Sequence, residues 1–370
     1  MLFGWALLIA TAQDKQPTMS LHGYIKDMAS FNFPVGVDTA IVDNLIHNRL
    51  NFRWFPSEKF TARVELRNRI FTGDLVNLYP NYSELIDVNN DFFDGSYVLI
   101  DKDGLVLHTM IDRAYVEWKE ETWSIQLGRQ RINWGVNLAW NPNDIFNAYS
   151  FFDFDYEERP GSDAIRFQRY IGYAGGYEVA IKLADSVEAL TAGFLYKWNK
   201  SNYDFQLLTG IMKNNLAIGG GWAGSLGTAG FKGEFTWFEP LDDLQERTWM
   251  VAISSDYLFA NSMYVNGSVL YNSNPLGNGS FVLNTSSNLD VRSLSPFEWS
   301  SFVQASYPIH PLLNAGVSAM AFPGEKGVFL NPFVTYSIVS NLDVDLIGQL
   351  FLGGEPSSVY LLYTRIKWSF

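Results

Sequence analysis

Ile46-His47-Asn48-Arg49-Leu50-Asn51-Phe52-Arg53-Trp54 carries apolar side chains at 50, 52 and 54 and polar or basic ones at 47, 49, 51 and 53. After Pro56-Ser57-Glu58-Lys59 the pattern resumes, with Phe60, Ala62, Val64 and Leu66 alternating with Thr61, Arg63, Glu65 and Arg67. A period of two puts successive side chains on opposite faces of an extended strand. Each run therefore has one apolar face and one charged face, and the short connection folds the second run back on the first. A tight turn about Pro56 to Lys59 pairs Arg53 with Arg63, Asn51 with Glu65, Arg49 with Arg67 and His47 with Arg69. Two such strands call for lipid on one side and water on the other.

The same alternation runs through most of the 370 residues, in segments of the length a tilted strand needs to cross a bilayer. Tyr177, Val179, Ile181 and Leu183 share a face, as do Trp249, Val251 and Ile253, and Leu342, Val344 and Leu346 alternate with Asp343 and Asp345. Composition agrees: 47% hydrophobic and 16% aromatic residues stand beside only 18% charged ones, where soluble domains carry about a quarter charged. The reading is all-β, a closed antiparallel transmembrane β-barrel of about 18 strands. Trp299 to Gly324 lacks any charge but is broken by Pro308, His310 and Pro311, so it reads as two strands rather than a membrane helix. With no cysteine, disulfides, thiolate metal sites, a cysteine nucleophile and covalent c-type haem are excluded. A net charge of -13 speaks against a nucleic-acid surface.

Connections give an independent test, because outer-membrane barrels alternate short periplasmic turns with longer external loops. The long segments 31–44, 73–107, 133–161, 239–245 and 274–296 all fall on one side, and short ones such as 56–59 and 259–261 on the other. Trp54, Phe60, Trp118, Trp123, Trp198, Tyr203, Trp222 and Tyr307 gather at the turn side, where amphipathic rings favour the membrane interface. Residues 1–12, an apolar run ending Ala10-Thr11-Ala12, read as a signal peptide without a basic n-region, leaving 13–370 as the barrel domain. At the other end Leu362, Ile366, Trp368 and Phe370 share one face, and Phe370 reads as the residue presented to the barrel assembly machinery.

Parity assigns the lumen. Arg49, Arg53, Arg63, Glu65, Arg67 and Arg69 form one wall, and Arg113 faces the same water. Four or five arginines with one carboxylate repel each other unless water, an anion or an acidic loop compensates. The connection from Gly73 to Leu107, with seven aspartates and glutamates against Lys102, is expected to fold inward opposite them; the alternative is a solvated external loop. The final hairpin, turning near Glu355, sets Asp345 opposite Arg365 and Asp343 opposite Lys367 on the inward face. Arg129 and Arg131 would lie in lipid by parity with Trp123, Ile125 and Leu127, unless a bulge at Gly128 turns both inward. Trp140, Phe146, Phe151 and Phe152 are a second candidate constriction, as an aromatic plug.

Gly128-Arg129-Gln130, Trp134-Gly135 and Asn141-Pro142-Asn143-Asp144, within about residues 112 to 167, resemble the Gly-Arg-Gln strand, Trp-Gly exit and Asn-Pro-x-Asp loop of a family of porin-like outer-membrane barrels of diderm bacteria. That family is related to alginate-export and substrate-specific porins. The resemblance implies a barrel of the transport class and no particular solute. An ion-pair network among Arg129, Asp144, Arg159 and Asp163 that only anchors loops is the other reading of this region.

The expected function is passive or solute-selective diffusion of small hydrophilic solutes, anionic ones drawn past the arginine wall. The alternative is a non-conducting barrel for adhesion, assembly or secretion. Expected partners are outer-membrane lipid, the assembly machinery and a small polar or anionic solute, with no nucleic acid, no cofactor and no metal. Asp87-Val88-Asn89-Asn90-Asp91 spaces oxygens as a calcium loop does but has Phe92 where glycine is wanted. His22, His47, His108 and His310 stand near no Gly-x-Ser-x-Gly elbow or His-Glu-x-x-His pair, so no enzyme is expected, an outer-membrane hydrolase being the remote alternative.

Overall fold

A computed structural model describes residues 18–370 apart from 35, 37, 90, 149–157, 243–245, 276–289, 325–326 and 354–357. The signal-peptide reading of 1–12, the turn near Glu355, Phe151 and Phe152 lie outside the described residues. The strands are β1 (Met19–Pro34), β2 (Ile41–Trp54), β3 (Phe60–Gly73), β4 (Ser96–Lys102), β5 (Leu105–Lys119), β6 (Trp123–Gln130), β7 (Ser162–Ile171), β8 (Gly175–Lys182), β9 (Thr191–Lys200) and β10 (Tyr203–Met212). They continue with β11 (Asn215–Leu226), β12 (Ala229–Pro240), β13 (Thr248–Leu258), β14 (Tyr264–Asn272), β15 (Trp299–His310), β16 (Leu313–Ala321), β17 (Val328–Val339), β18 (Leu342–Leu352) and β19 (Val359–Ser369). Two short helices, α1 (Asp74–Leu78) and α2 (Tyr82–Ile86), lie between β3 and β4.

All neighbours pair antiparallel, and β19 pairs with β1 from Tyr24↔Ser369 to Pro34↔Val359, closing the sheet on itself. Closure leaves no edge in the ring, which is what lets a sheet stand in lipid. Phe370 completes the seam: its N–H donates to the Gly23 carbonyl at 2.9 Å and its carbonyl accepts from Gly23 at 3.0 Å. β3 pairs directly with β5, so removing β4 from the nineteen strands leaves eighteen in the ring. β4 lies on the other edge of β5, from Ser96↔Met110 to Lys102↔Leu105, beyond the Ala114–Lys119 stretch that β6 covers. It occupies the edge that β6 vacates by ending early.

The pleat sorts the side chains as the alternation requires. Trp54, Val64, Trp118 and Leu127 are exposed on the outer face, while Arg49, Glu65 and His47 on the inner face are buried. Two-residue connections at Ser201-Asn202 and Lys213-Asn214 have both residues at positive φ, the handedness that matches strand twist in tight hairpins. Several boundaries move from the sequence reading. β1 runs on to Pro34 and β2 begins at Ile41, so the expected 31–44 connection shrinks, and β9 runs to Lys200 because Ser201-Asn202 makes the turn. β6 stops at Gln130, so Arg131 lies past the strand.

Candidate functional site

Two interior regions carry the polar chemistry. The first is the wall of β2, β3 and β5. Its register is Arg53↔Arg63, Asn51↔Glu65, Arg49↔Arg67 and His47↔Arg69, the pairing that the Pro56 turn implied. The arginines are not left facing one another. Arg49 pairs with Asp112 and Glu65, both buried, and lies 3.6 Å from Glu158; Arg63 pairs with Glu65; Arg67 lies 3.6 Å from Asp112. Three guanidiniums thus meet three carboxylates. Asp112 is available because the register slips between Glu65↔Arg113 and Leu66↔Ile111, a bulge that adds one residue to β5. Arg113 donates to the carbonyls of Glu158 and Arg159 at 3.0 and 2.7 Å. Arg69 contacts His108 Nδ1 at 3.1 Å, whose Nε2 meets Ser96 Oγ at 2.7 Å.

The expectation that the acidic 73–107 connection compensates this wall needs correction. Among the described residues Asp87 reaches His108, at 3.5 Å, and Asp91 reaches Lys182 at 2.9 Å and Arg129 at 3.9 Å, near the ends of β8 and β6. Asp74 accepts from the Val42 N–H and Asp101 from Ser83 Oγ, so these acids organise their own excursion. The compensating carboxylates are Asp112 and Glu158. Asp91 faces Arg129 and Lys182, Asp87 faces His108, and Asn89 Oδ1 accepts the Asp91 N–H; among the described residues no cluster with metal-ligating composition occurs.

The second region follows β6, where residues 131–148 leave the strand and enter the barrel. Trp134, Trp140, Ile145 and Phe146 are buried against Leu195, Leu208, Phe238, Met250, Leu270 and Phe302 of the inner wall. Glu234 on β12 is its anchor: its carboxylate accepts the N–H groups of Val136, Asn137 and Asn143 at 2.5, 2.9 and 2.9 Å. Three loop donors that no strand could satisfy are met by one acceptor-only group. Around it Thr236 Oγ1 donates to Asn143 Oδ1 (2.7 Å), Ser254 Oγ to Asn137 Oδ1 (2.6 Å), Gln206 to the Trp134 carbonyl (2.6 Å), and Trp134 Nε1 to Glu178 (2.6 Å). Close approach needs missing side chains: a Cβ at Gly193 would lie 2.8 Å from the Trp134 ring, and one at Gly219 2.7 Å from Asn143 Oδ1. Those glycines are the floor on which the segment rests.

Counted around the ring, β2 is second and β12 eleventh of eighteen, nine steps apart either way. Asn143 is therefore held at one wall, and Glu158, hydrogen-bonded to Tyr24 at 3.2 Å, at the wall opposite. We call the described parts of this connection, 131–148 and 158–161, the strap. Residues 291–297 fill beside it: Val291 and Phe297 join the same buried cluster, and Asn272 Nδ2 donates to the Arg292 carbonyl at 2.8 Å. Asp144, fully buried in the strap, takes only the Trp134 N–H at 3.4 Å on Oδ1. Burial pushes its carboxyl up to about 8, against the pull of Arg131 and Arg159.

The remaining sequence candidates divide. Asp345 accepts from Arg365 Nε at 2.8 Å and Asp343 stands opposite Lys367, as the last hairpin implied. Lys367 lies 4.8 Å from the Tyr24 ring centre. Arg129 and Arg131 are corrections. The register passes Gly128 without a shift, although Gly128 takes φ +113, and Arg129 pairs with Asp163 in the row of the lipid-facing pair Leu127↔Ile165. Segment 91–95 covers it, the Phe93 carbonyl accepting from Arg129 and the Phe93 N–H donating to Asp163 at 2.7 Å. Arg131 lies past the end of β6, in the strap. Sequence reasoning missed Asp112, Glu158, Glu178 and Glu234. The run Gly219-Gly220-Gly221 inside a strand was the available signal that another backbone approaches there.

No known protein family and no curated protein matches the chain. Solved outer-membrane porin barrels do. Acinetobacter baumannii OccAB4 superposes with TM-score 0.60 at 10% identity, over 96% of this chain and 99% of that one. Pseudomonas aeruginosa OccK8 (OprE) gives TM-score 0.60 at 8% identity, over 95% and 98%. Pseudomonas aeruginosa OpdK, solved with vanillate, gives TM-score 0.57 at 10% identity, over 95% and 98%. At such identities the likeness is one of fold.

Proposed function

We propose that this chain is an outer-membrane channel through which small hydrophilic solutes diffuse, anionic ones among them. The observation that carries the reading is a closed eighteen-strand ring with an apolar outside and a charged inside, narrowed by a strap pinned at opposite walls. Eighteen strands enclose a lumen wide enough for water unless inserted chain fills it. The fold it shares with OccAB4, OccK8 and OpdK supports the same class, as does the polar interior at the turn side, where Arg53 and Arg63 stay partly exposed.

Residues 1–12 serve as the export signal, 13–370 as the barrel, and Phe370 at the closing seam as the contact for the assembly machinery. Arg49, Arg67 and Arg113 act as a neutralised scaffold for the far end of the strap, and Arg53 and Arg63 present the positive charge that solutes meet. Full-length protein in a planar bilayer should give discrete conductance steps. A folded, heat-modifiable protein that gives none is the non-conducting barrel, a reading that the dense packing around Trp134 and Trp140 favours.

A further inference from the structure

A further polar site lies at the turn end of β7, β8 and β9, next to the Glu178 and Gln206 that hold Trp134. The inward row there reads Tyr170↔Gly176↔Lys197↔Gln206 across four strands. Glycine at the second place leaves a slot between the tyrosine and the lysine, and a cavity of about 240 Å³ opens there, lined by Tyr170, Tyr173, Gly176, Gln168, Glu178 and Lys197. Among the described residues Lys197 makes no hydrogen bond or ion pair, unlike Arg49, Arg63, Arg166, Lys182, Lys232 and Arg365 of the inner wall.

The nearest carboxylate does not serve it. Glu178 accepts from Arg166 twice at 2.8 Å, from Gln168 at 2.9 Å and from Trp134 at 2.6 Å, so its lone pairs and its charge are taken. Asp204, diagonal on β10, accepts from Asn199 at 2.8 Å. Arg166, Arg169 and Lys197 against Glu178 and Asp204 leave one positive charge around the slot. An ammonium with three free donors beside a side-chain-free floor and two phenol rings is a place for a compact acceptor-only group.

We infer that Lys197, over the Gly176 floor, forms an oxyanion subsite at the turn-side mouth, taking the carboxylate or phosphate group of a solute. This deepens the channel reading and rests on it for its biological role. The test is equilibrium binding to full-length protein in micelles, with acetate followed by saturation-transfer NMR and inorganic phosphate by phosphorus line broadening. Affinity for the bound probe should fall about tenfold in Lys197→Gln, the loss of the site's charge contact, and stay within about threefold in Lys197→Arg. Binding of acetate alone assigns carboxylates; binding of phosphate alone assigns phosphates. Lys197→Gln protein that binds as tightly as the native chain, or a native chain that binds neither probe, overturns the subsite. Because this readout needs no conduction, a silent bilayer with lysine-dependent binding removes the channel and keeps the site, while conductance steps without binding do the reverse.

Discussion

On the wall of β2, β3 and β5, charge is held by charge: buried Arg49 and Arg67 and half-buried Arg63 against buried Glu65 and Asp112 and half-buried Glu158. Nine strands away, β12 offers one carboxylate, and the rest of that wall is glycine, small residues and aromatic packing under the strap. Each wall solves a different problem. The first must keep guanidiniums in a closed lumen, where an uncompensated ion costs several kcal/mol. The second must satisfy the N–H groups of an irregular segment, and Glu234 takes three of them. The first wall sets the stability of the ring, and the second sets where the strap lies. Variants on the two should therefore separate.

The largest effect is expected on the charged wall. Asp112→Asn leaves Arg49 and Arg67 without a charge they both use, and should destabilise by about 3–5 kcal/mol, lowering the temperature at which the folded band is lost on gels. The matching change on the other wall, Glu234→Ala, should leave that temperature nearly unchanged. It strands three loop donors, a local cost of about 2–4 kcal/mol, and should raise amide exchange across 132–148. If both variants soften the whole barrel equally, the division of labour is wrong.

What could be read in the sequence follows the same divide. The Arg53↔Arg63 and Asp345↔Arg365 registers come from period-two alternation and short separation along the chain, both local properties. Asp112 could not be assigned in this way, because a bulge puts it on the inward side, and a bulge is an irregularity in an otherwise regular pattern. Glu234 was out of reach because its partner Val136 lies 98 residues away and is reached through a loop with no period. Arg129 failed for a related reason: parity placed it toward lipid, and the covering segment that makes this tolerable, 91–95, belongs to another connection.

A pH scan should sharpen the contrast at intermediate size. Asp144 is held up to about 8 by burial in the docked strap, while a carboxyl free in water titrates near 4. Between those values the docked state binds the extra proton, so docking is strongest below about pH 4 and weakens as pH rises toward about 8. Exchange across 132–148 should increase over that window, and Asp144→Asn should reduce the dependence. A rise in protection with pH would reverse the assignment. The smallest effect is expected at Asp345 and Arg365, a partly desolvated pair in the last hairpin: a double-mutant cycle should give a coupling of about 1 kcal/mol that shrinks with salt. No coupling at low salt would place the pair in open water.

The strap as the element that limits the lumen is tested most directly by single-channel recording of the native chain beside Glu234→Ala, at equal folded fractions. The expected result is discrete steps from both, several-fold larger from Glu234→Ala, because the segment carrying Trp134 and Trp140 has lost its hold on β12. Equal step sizes, with 132–148 shown to be released by amide exchange, would contradict it.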